Sequence, residues 1–141
     1  MESAPEVYTV SGDFTRIVVV RIKRGMDLLD GLKKAVAQEK IRNAAILSGV
    51  GSLTSYHVHA VSNTVLPAQN VFYKGVGPQD LLNVNGYIMD GRVHAHIVLS
   101  DDKKSLGGHL EPGTTVFTFA IMTLGVLPEG TDLTRFDEPG W

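Results

Sequence analysis

His94, His96 and His109 stand in the pattern His-x-His-x12-His, carried by Gly91-Arg92-Val93-His94-Ala95-His96-Ile97-Val98-Leu99-Ser100 and by Gly107-Gly108-His109-Leu110. The first segment reads as a β-strand. Val93, Ala95, Ile97 and Leu99 alternate with His94, His96 and Val98, so both imidazoles leave on one face. Two positions along a strand span roughly 6.6 Å, at ~3.3 Å per residue. Two leaning imidazoles can share one ion across that gap at a zinc–nitrogen distance of about 2.0–2.1 Å. Asp101-Asp102-Lys103-Lys104-Ser105-Leu106 reads as the turn that reverses the chain. Gly107-Gly108 then strips away side-chain bulk where His109 must swing back toward the pair. Three protein nitrogens leave a fourth position for water or a small oxyanion, the arrangement of catalytic rather than structural zinc.

The ordinary alternative is a half-buried polar strand residue with a hydrogen-bond partner. Against it stands the double glycine, which is costly unless the backbone needs it. The chain has no cysteine, so a soft-metal site must use histidine. An all-nitrogen set suits zinc, although copper, nickel and iron also accept imidazole. Each imidazole must be neutral to bind, so affinity should fall as pH drops through about 6.5. Arg92, Glu111 and the Asp101-Asp102 turn are the nearby acid–base candidates, and Glu111 could orient a metal-bound water or a ligand ring. Surface charge is the plainer account of Arg92 and Glu111, and turn formation that of Asp101 and Asp102. No residue is assigned a catalytic role. His57 and His59 also share a strand face, as a second metal shell, a subunit-interface site or a polar strand surface.

These residues need elements to hold them. Residues 1–13 read as an N-terminal tail and 14–141 as one domain. Residues 14–22 form a β-branched first strand around Ile17-Val18-Val19-Val20. Asp27 is a helix N-cap, and the helix runs to about Lys40 with Leu28, Leu29, Leu32, Ala35 and Val36 on one stripe. Gly31 inside it costs about 1 kcal/mol relative to Ala, so packing must hold the helix. Strands follow at 44–50, 53–61, 71–74, 81–89, 93–99 and 115–127, with Gly86 as a bulge and Asp90-Gly91 as a tight hairpin turn. One helix and about seven strands, mostly hairpin-connected, predict an α+β fold with a largely antiparallel sheet.

Composition narrows the class. At 141 residues with 43% apolar and 20% charged content, the chain suits one globular domain. No apolar run reaches the ~20 residues that span a bilayer, and the first residues lack a signal-peptide pattern, so the expected compartment is the cytoplasm.

The histidine segments, Ser48-Gly49-Val50-Gly51-Ser52-Leu53, Gly113 and the closing Arg135-Phe136-Asp137-Glu138 together resemble the PPC domain, also called DUF296. This plant-and-prokaryote conserved domain follows AT-hook DNA-binding motifs in plants. The resemblance covers the chain from about Thr15 onward and implies a single α+β domain that assembles as a homotrimer. It also implies a metal on the motif histidines, as in several prokaryotic relatives. The layout of an HxH strand followed by Gly-Gly-His is similar to the zinc-binding segment of acetolactate decarboxylase. Two departures stand out. Ile121 occupies the place in the last long strand where the family usually carries a glutamate, and the chain has no Arg-Gly-Arg-Pro core.

Three functions follow as expectations. The first is a metal-dependent role toward a small-molecule ligand or substrate, since a metal on three imidazoles can polarise a carbonyl or acidify a bound water. The second, from the AT-hook relatives, is DNA binding or a transcription-associated role. Phosphate neutralisation needs a basic face. Here 15 acidic residues outnumber 13 basic ones, which are scattered apart from short runs such as Arg21-Ile22-Lys23-Arg24 and Lys33-Lys34. The third is an assembly module, because the aliphatic stretch 117–127 exceeds what one face of a small sheet needs.

Overall fold

The computed structural model describes residues 4–141. Residues 1–3 of the expected tail lie outside them. The elements run β1 (Arg16–Lys23), α1 (Leu28–Gln38), β2 (Ala44–Val61), β3 (Asn70–Met89), β4 (Arg92–Ser100), β5 (Ser105–Leu110) and β6 (Val116–Val126). The sheet order is β1-β6-β2-β3-β4-β5, every pairing is antiparallel, and β5 also pairs with β2. That extra pairing closes β2, β3, β4 and β5 into a ring, while β6 and β1 extend it as an open flap.

The α+β class with a mostly antiparallel sheet is as expected, with six strands among the described residues in place of seven. Two expected breaks vanish. Gly49-Val50-Gly51-Ser52 runs through the interior of β2, because at Gly51 an added Cβ would collide with the Phe119 carbonyl. The glycine there serves close strand approach rather than a turn. Gly75-Val76-Gly77-Pro78 likewise lies inside β3. In the other direction, residues expected as a turn and a swing-back form β5. Gly86 is not a bulge. It keeps register with Ile46 and Ala95 at φ 135°, and the register shifts in the pairings of β3 fall at Leu53/Ser55 and Leu81/Asn83.

Asp27 caps α1, its Oδ2 accepting from Asp30 N–H at 2.9 Å. Its Oδ1 accepts from the Gly113 and Thr114 N–H groups, which ties the helix start to the loop entering β6. The helix ends at Gln38 rather than Lys40, which adopts φ 54° and leaves the helical region. Leu28 and Leu32 on α1, Ile46 on β2, Val84 and Ile88 on β3, and Leu124 on β6 belong to one buried core. Gly31 lets the helix settle onto Ile22 of β1, where a Cβ would meet the isoleucine at 2.8 Å. Asp90 (φ 50°) and Gly91 (φ 78°) form the tight turn joining β3 to β4, as expected.

Candidate metal centre

Inside the ring, Val58 of β2, Ala95 and Ile97 of β4 and Leu110 of β5 are buried. Strand alternation therefore sends His59, His94, His96 and His109 to the outer surface. Register does the rest. His96 pairs with His109 across β4 and β5, and His109 pairs with His59 across β5 and β2. One row of three imidazoles thus crosses three neighbouring strands, with His94 two positions along β4. Ring centroids lie 4.4 Å apart for His59 and His109, which stack, and 4.8 Å for His94 and His109.

Gly107 and Gly108 matter for a different reason than a swinging chain. An added Cβ would stand 2.7 Å from the Ile97 carbonyl at Gly107 and 2.6 Å from the His59 carbonyl at Gly108. Glycine lets β5 wedge between β4 and β2 closely enough to put His109 into the row.

Donor atoms of His94, His96 and His109 all lie within 4.8 Å of one another. Tetrahedral nitrogens at about 2.0–2.1 Å from zinc are about 3.3 Å apart, so modest ring movement brings the three to a common ion. The donor set fits the chemistry. The donor atoms of His59, His109 and Glu111 likewise lie within 4.8 Å of one another, a second triple that shares His109.

Carboxylates fix two of the rings. His59 Nδ1–H donates to Glu111 Oε1 at 2.6 Å, and His94 Nδ1–H faces Asp137 Oδ2 at 3.4 Å. An ionised carboxylate only accepts, so the hydrogen sits on Nδ1 and Nε2 keeps a free lone pair. That is how metal-ligating histidines are generally held. Burial, then the nearby His94 and His59, lower the pKa of His96. Burial, then His59 and His94, push His109 down to about 4, against a partly opposing pull from Glu111. Burial works to raise the Asp137 carboxyl, but its bonds to Arg92 and His94 outweigh it and hold it below the usual range.

The histidines line one wall of a cavity of about 1160 Å³ whose other walls include Val61, Leu66, Pro67, Asn70 and Pro139. A second cavity, of about 840 Å³, lies by Gln79, Asp101 and Phe117 and is lined by no histidine.

The remaining candidates separate cleanly. Arg92 pairs with Asp137 Oδ1 at 2.9 Å rather than facing the ring donors. Asp101 is a turn former, its Oδ1 accepting from the Lys103 and Lys104 N–H groups at 2.8 Å. His57 donates from Nδ1–H to the Pro112 carbonyl at 2.7 Å and does not line the cavity. Ile121 sits in register between Arg21 and Val50 on β6, a strand that contributes no lining residue to the histidine cavity. Asp137 is the site residue that reasoning on chemistry missed. Its signal was the closing Arg135-Phe136-Asp137-Glu138 segment, which carries no chemistry until the chain end is folded back.

A sequence profile described as the Plants and Prokaryotes Conserved (PCC) domain matches residues 9–128. Among solved structures, a plant- and prokaryote-conserved protein from Pyrococcus horikoshii is 27% identical with TM-score 0.71, covering 88% of this chain and 89% of that one. A metal-containing protein from Archaeoglobus fulgidus is 20% identical with TM-score 0.78, covering 95% and 96%. A candidate DNA-binding protein from Ralstonia eutropha JMP134 is 24% identical with TM-score 0.65, covering 82% and 80%. The fold likeness extends to acetolactate decarboxylase from Bacillus subtilis subspecies spizizenii, 14% identical with TM-score 0.52, covering 78% and 53%. Among curated proteins, the bifunctional protein GlmU of Synechococcus sp. (strain JA-2-3B'a(2-13)) is 27% identical over 81% of this chain. The matched part is 17% of that protein's length, so the chain corresponds to a domain-sized piece of it.

Proposed function

The chain belongs to the Plants and Prokaryotes Conserved domain family, and from there we propose that it holds one divalent metal ion, zinc in the first instance, on His94, His96 and His109. The observation that carries this reading is the convergence of three ring donors within 4.8 Å on one wall of a cavity. The metal-containing neighbour from Archaeoglobus fulgidus supports it. A bound ion would supply Lewis acidity toward an oxygen of a small-molecule ligand. The chain's own residues do the rest. His94 and His59 are held in one tautomer by Asp137 and Glu111. Val61, Leu66 and Pro67 offer an apolar wall beside the metal position. The test is metal analysis of protein purified without an affinity tag and refolded with zinc. One equivalent of metal is expected, and none would overturn the assignment.

Residues 14–141 form the single domain in this reading, with 1–13 as its tail, in a homotrimer in the cytoplasm. Ile17, Val19, Val50 and Leu82 are each more than half exposed on the side of the sheet facing away from the core. Such a surface is what an oligomer covers. Light scattering coupled to size exclusion should give about three times the 15.3 kDa chain mass, and a concentration-independent monomer would refute it.

DNA binding is the second reading, supported by the Ralstonia eutropha neighbour. With a net charge of −2 the chain has little to neutralise phosphates. Only weak, salt-sensitive gel shifts are expected, and sub-micromolar, sequence-selective binding at physiological salt would favour this reading over the first.

A further inference from the structure

Beyond β6 the chain runs through 127–141 with neither helix nor strand, yet it is anchored along its length. Leu127 N–H donates to the Asn43 carbonyl at 2.9 Å, Asn43 Nδ2 donates to the Thr131 carbonyl at 2.6 Å, and Leu133 is buried. From there the chain turns toward the histidines. Arg92, which begins the strand carrying His94 and His96, donates from Nη2 to the Thr134 carbonyl at 3.1 Å and to Asp137 Oδ1 at 2.9 Å. The other carboxylate oxygen, Oδ2, faces His94 Nδ1 at 3.4 Å. Pro139 lines the histidine cavity, and Gly140 stands against Leu66, another lining residue, close enough that a Cβ would lie 3.2 Å from it. Trp141 closes the segment, edge-on to Tyr8 at 5.3 Å and beneath the Arg135 guanidinium at 4.6 Å.

We propose that residues 134–141 form a strap over the cavity whose docking is coupled to metal occupancy through Asp137, the positioning residue for His94. The inference rests on the metal reading above. At 3.4 Å the Asp137–His94 contact is at the outer limit of a hydrogen bond. A cation held by the ring's other nitrogen would draw electron density out of the ring and make Nδ1–H a stronger donor, so loading would tighten this contact and draw the strap inward. Coupling between two binding events is reciprocal. The factor by which metal favours the docked strap is therefore the factor by which the strap favours metal. Carboxylates that orient a ligating histidine are typically worth 10–100-fold in metal affinity. Arg92 pre-places the carboxylate, so little of that gain is spent on ordering it.

The sole tryptophan, Trp141, reports on the strap, and Arg135 within it is a trypsin site. Untagged full-length protein is titrated with zinc chloride. Occupancy is read by competition with a chromophoric chelator, strap closure by tryptophan emission, and exposure by tryptic cleavage at Arg135. In the wild type, emission should change along the same curve as occupancy, and zinc should slow the cleavage. Asp137→Asn should weaken zinc roughly 10-fold or more and abolish the zinc-dependent emission change. Glu39→Ala, which removes the exposed partner of Arg16 outside the strap, should leave zinc affinity unchanged. If Asp137→Asn fails to fold by circular dichroism, the wild-type emission and cleavage curves decide alone. Zinc binding with no emission or cleavage response removes the strap and leaves the metal site standing. Wild-type affinity in a folded Asp137→Asn does the same. No zinc binding by the wild type removes both.

Discussion

The same three-residue pattern occurs twice in this protein, as His57-Val58-His59 on β2 and His94-Ala95-His96 on β4, but only on β4 do both histidines reach the cluster around His109. Both pairs flank a buried residue and point to the outer side of the ring, so local geometry does not separate them. Their cross-strand neighbours do. On β4, His96 faces His109 across β5, and His94 lies within 4.8 Å of the His109 ring centroid. On β2 the pairing with β5 stops at Val58↔Leu110, short of His57. One step further the chain leaves at Glu111 and Pro112, and His57 spends Nδ1–H on the Pro112 carbonyl. Only the β4 pair has both of its imidazoles within 4.8 Å of a histidine donor on the neighbouring strand.

The comparison is sharpest at His96. His96→Ala should abolish stoichiometric zinc by mass spectrometry while leaving circular dichroism intact, because His96 is exposed and outside the core. A variant that keeps one equivalent of zinc would erase the distinction between the two pairs.

Next in size is the wedge that brings β5 to both. Gly108→Ala places a Cβ 2.6 Å from the His59 carbonyl and should cost ~1–3 kcal/mol by overpacking, read as a lower Tm. Zinc affinity should fall with it, since His109 leaves the row. An unchanged Tm with unchanged affinity would show that the close approach is dispensable.

The pH dependence is smaller and moves the expectation drawn from free imidazole. His109 is pushed down to about 4 and His96 is also lowered, so both stay neutral below the usual range near 6.5. Loss of zinc on acidification should therefore set in below pH 6.5, as followed by chelator competition. For the metal-free protein the sign runs the same way. Between pH 6.5 and about 4 the unfolded chain binds a proton at His109 that the folded chain refuses, so stability falls as pH falls through that window and levels off below it. A metal-free protein whose Tm is flat across that range would contradict the half-buried, neutral His109.

The smallest effect belongs to the other pair. His57→Ala should leave zinc content unchanged, because its ring does not line the cavity. If it lost metal as completely as His96→Ala, the two motifs would be equivalent after all.

Chain composition and alternation were enough for several conclusions. Asp27 as a helix cap, the Asp90-Gly91 hairpin, the shared face of His94 and His96 and the α+β class all follow from neighbours within four residues. In such cases backbone geometry dictates the answer locally. The PPC resemblance was also legible, in the histidine segments and the Arg135-Phe136-Asp137-Glu138 close.

Tertiary structure decided the rest. Gly49, Gly51, Gly75 and Gly77 break the expected strands but lie within β2 and β3; at Gly51 only the neighbouring backbone, the Phe119 carbonyl, reveals that the glycine serves close approach instead of a turn. β5 was hidden for a related reason: Ser105–Leu110 is a strand because β4 and β2 flank it, not because its residues favour one. The difference between His57 and His59 turns on Glu111 and Pro112, 52 and 55 residues away along the chain. Asp137 reaches His94 across 43 residues. Register between strands and the path of the chain end are set by how the whole core packs, and no window of sequence contains that information.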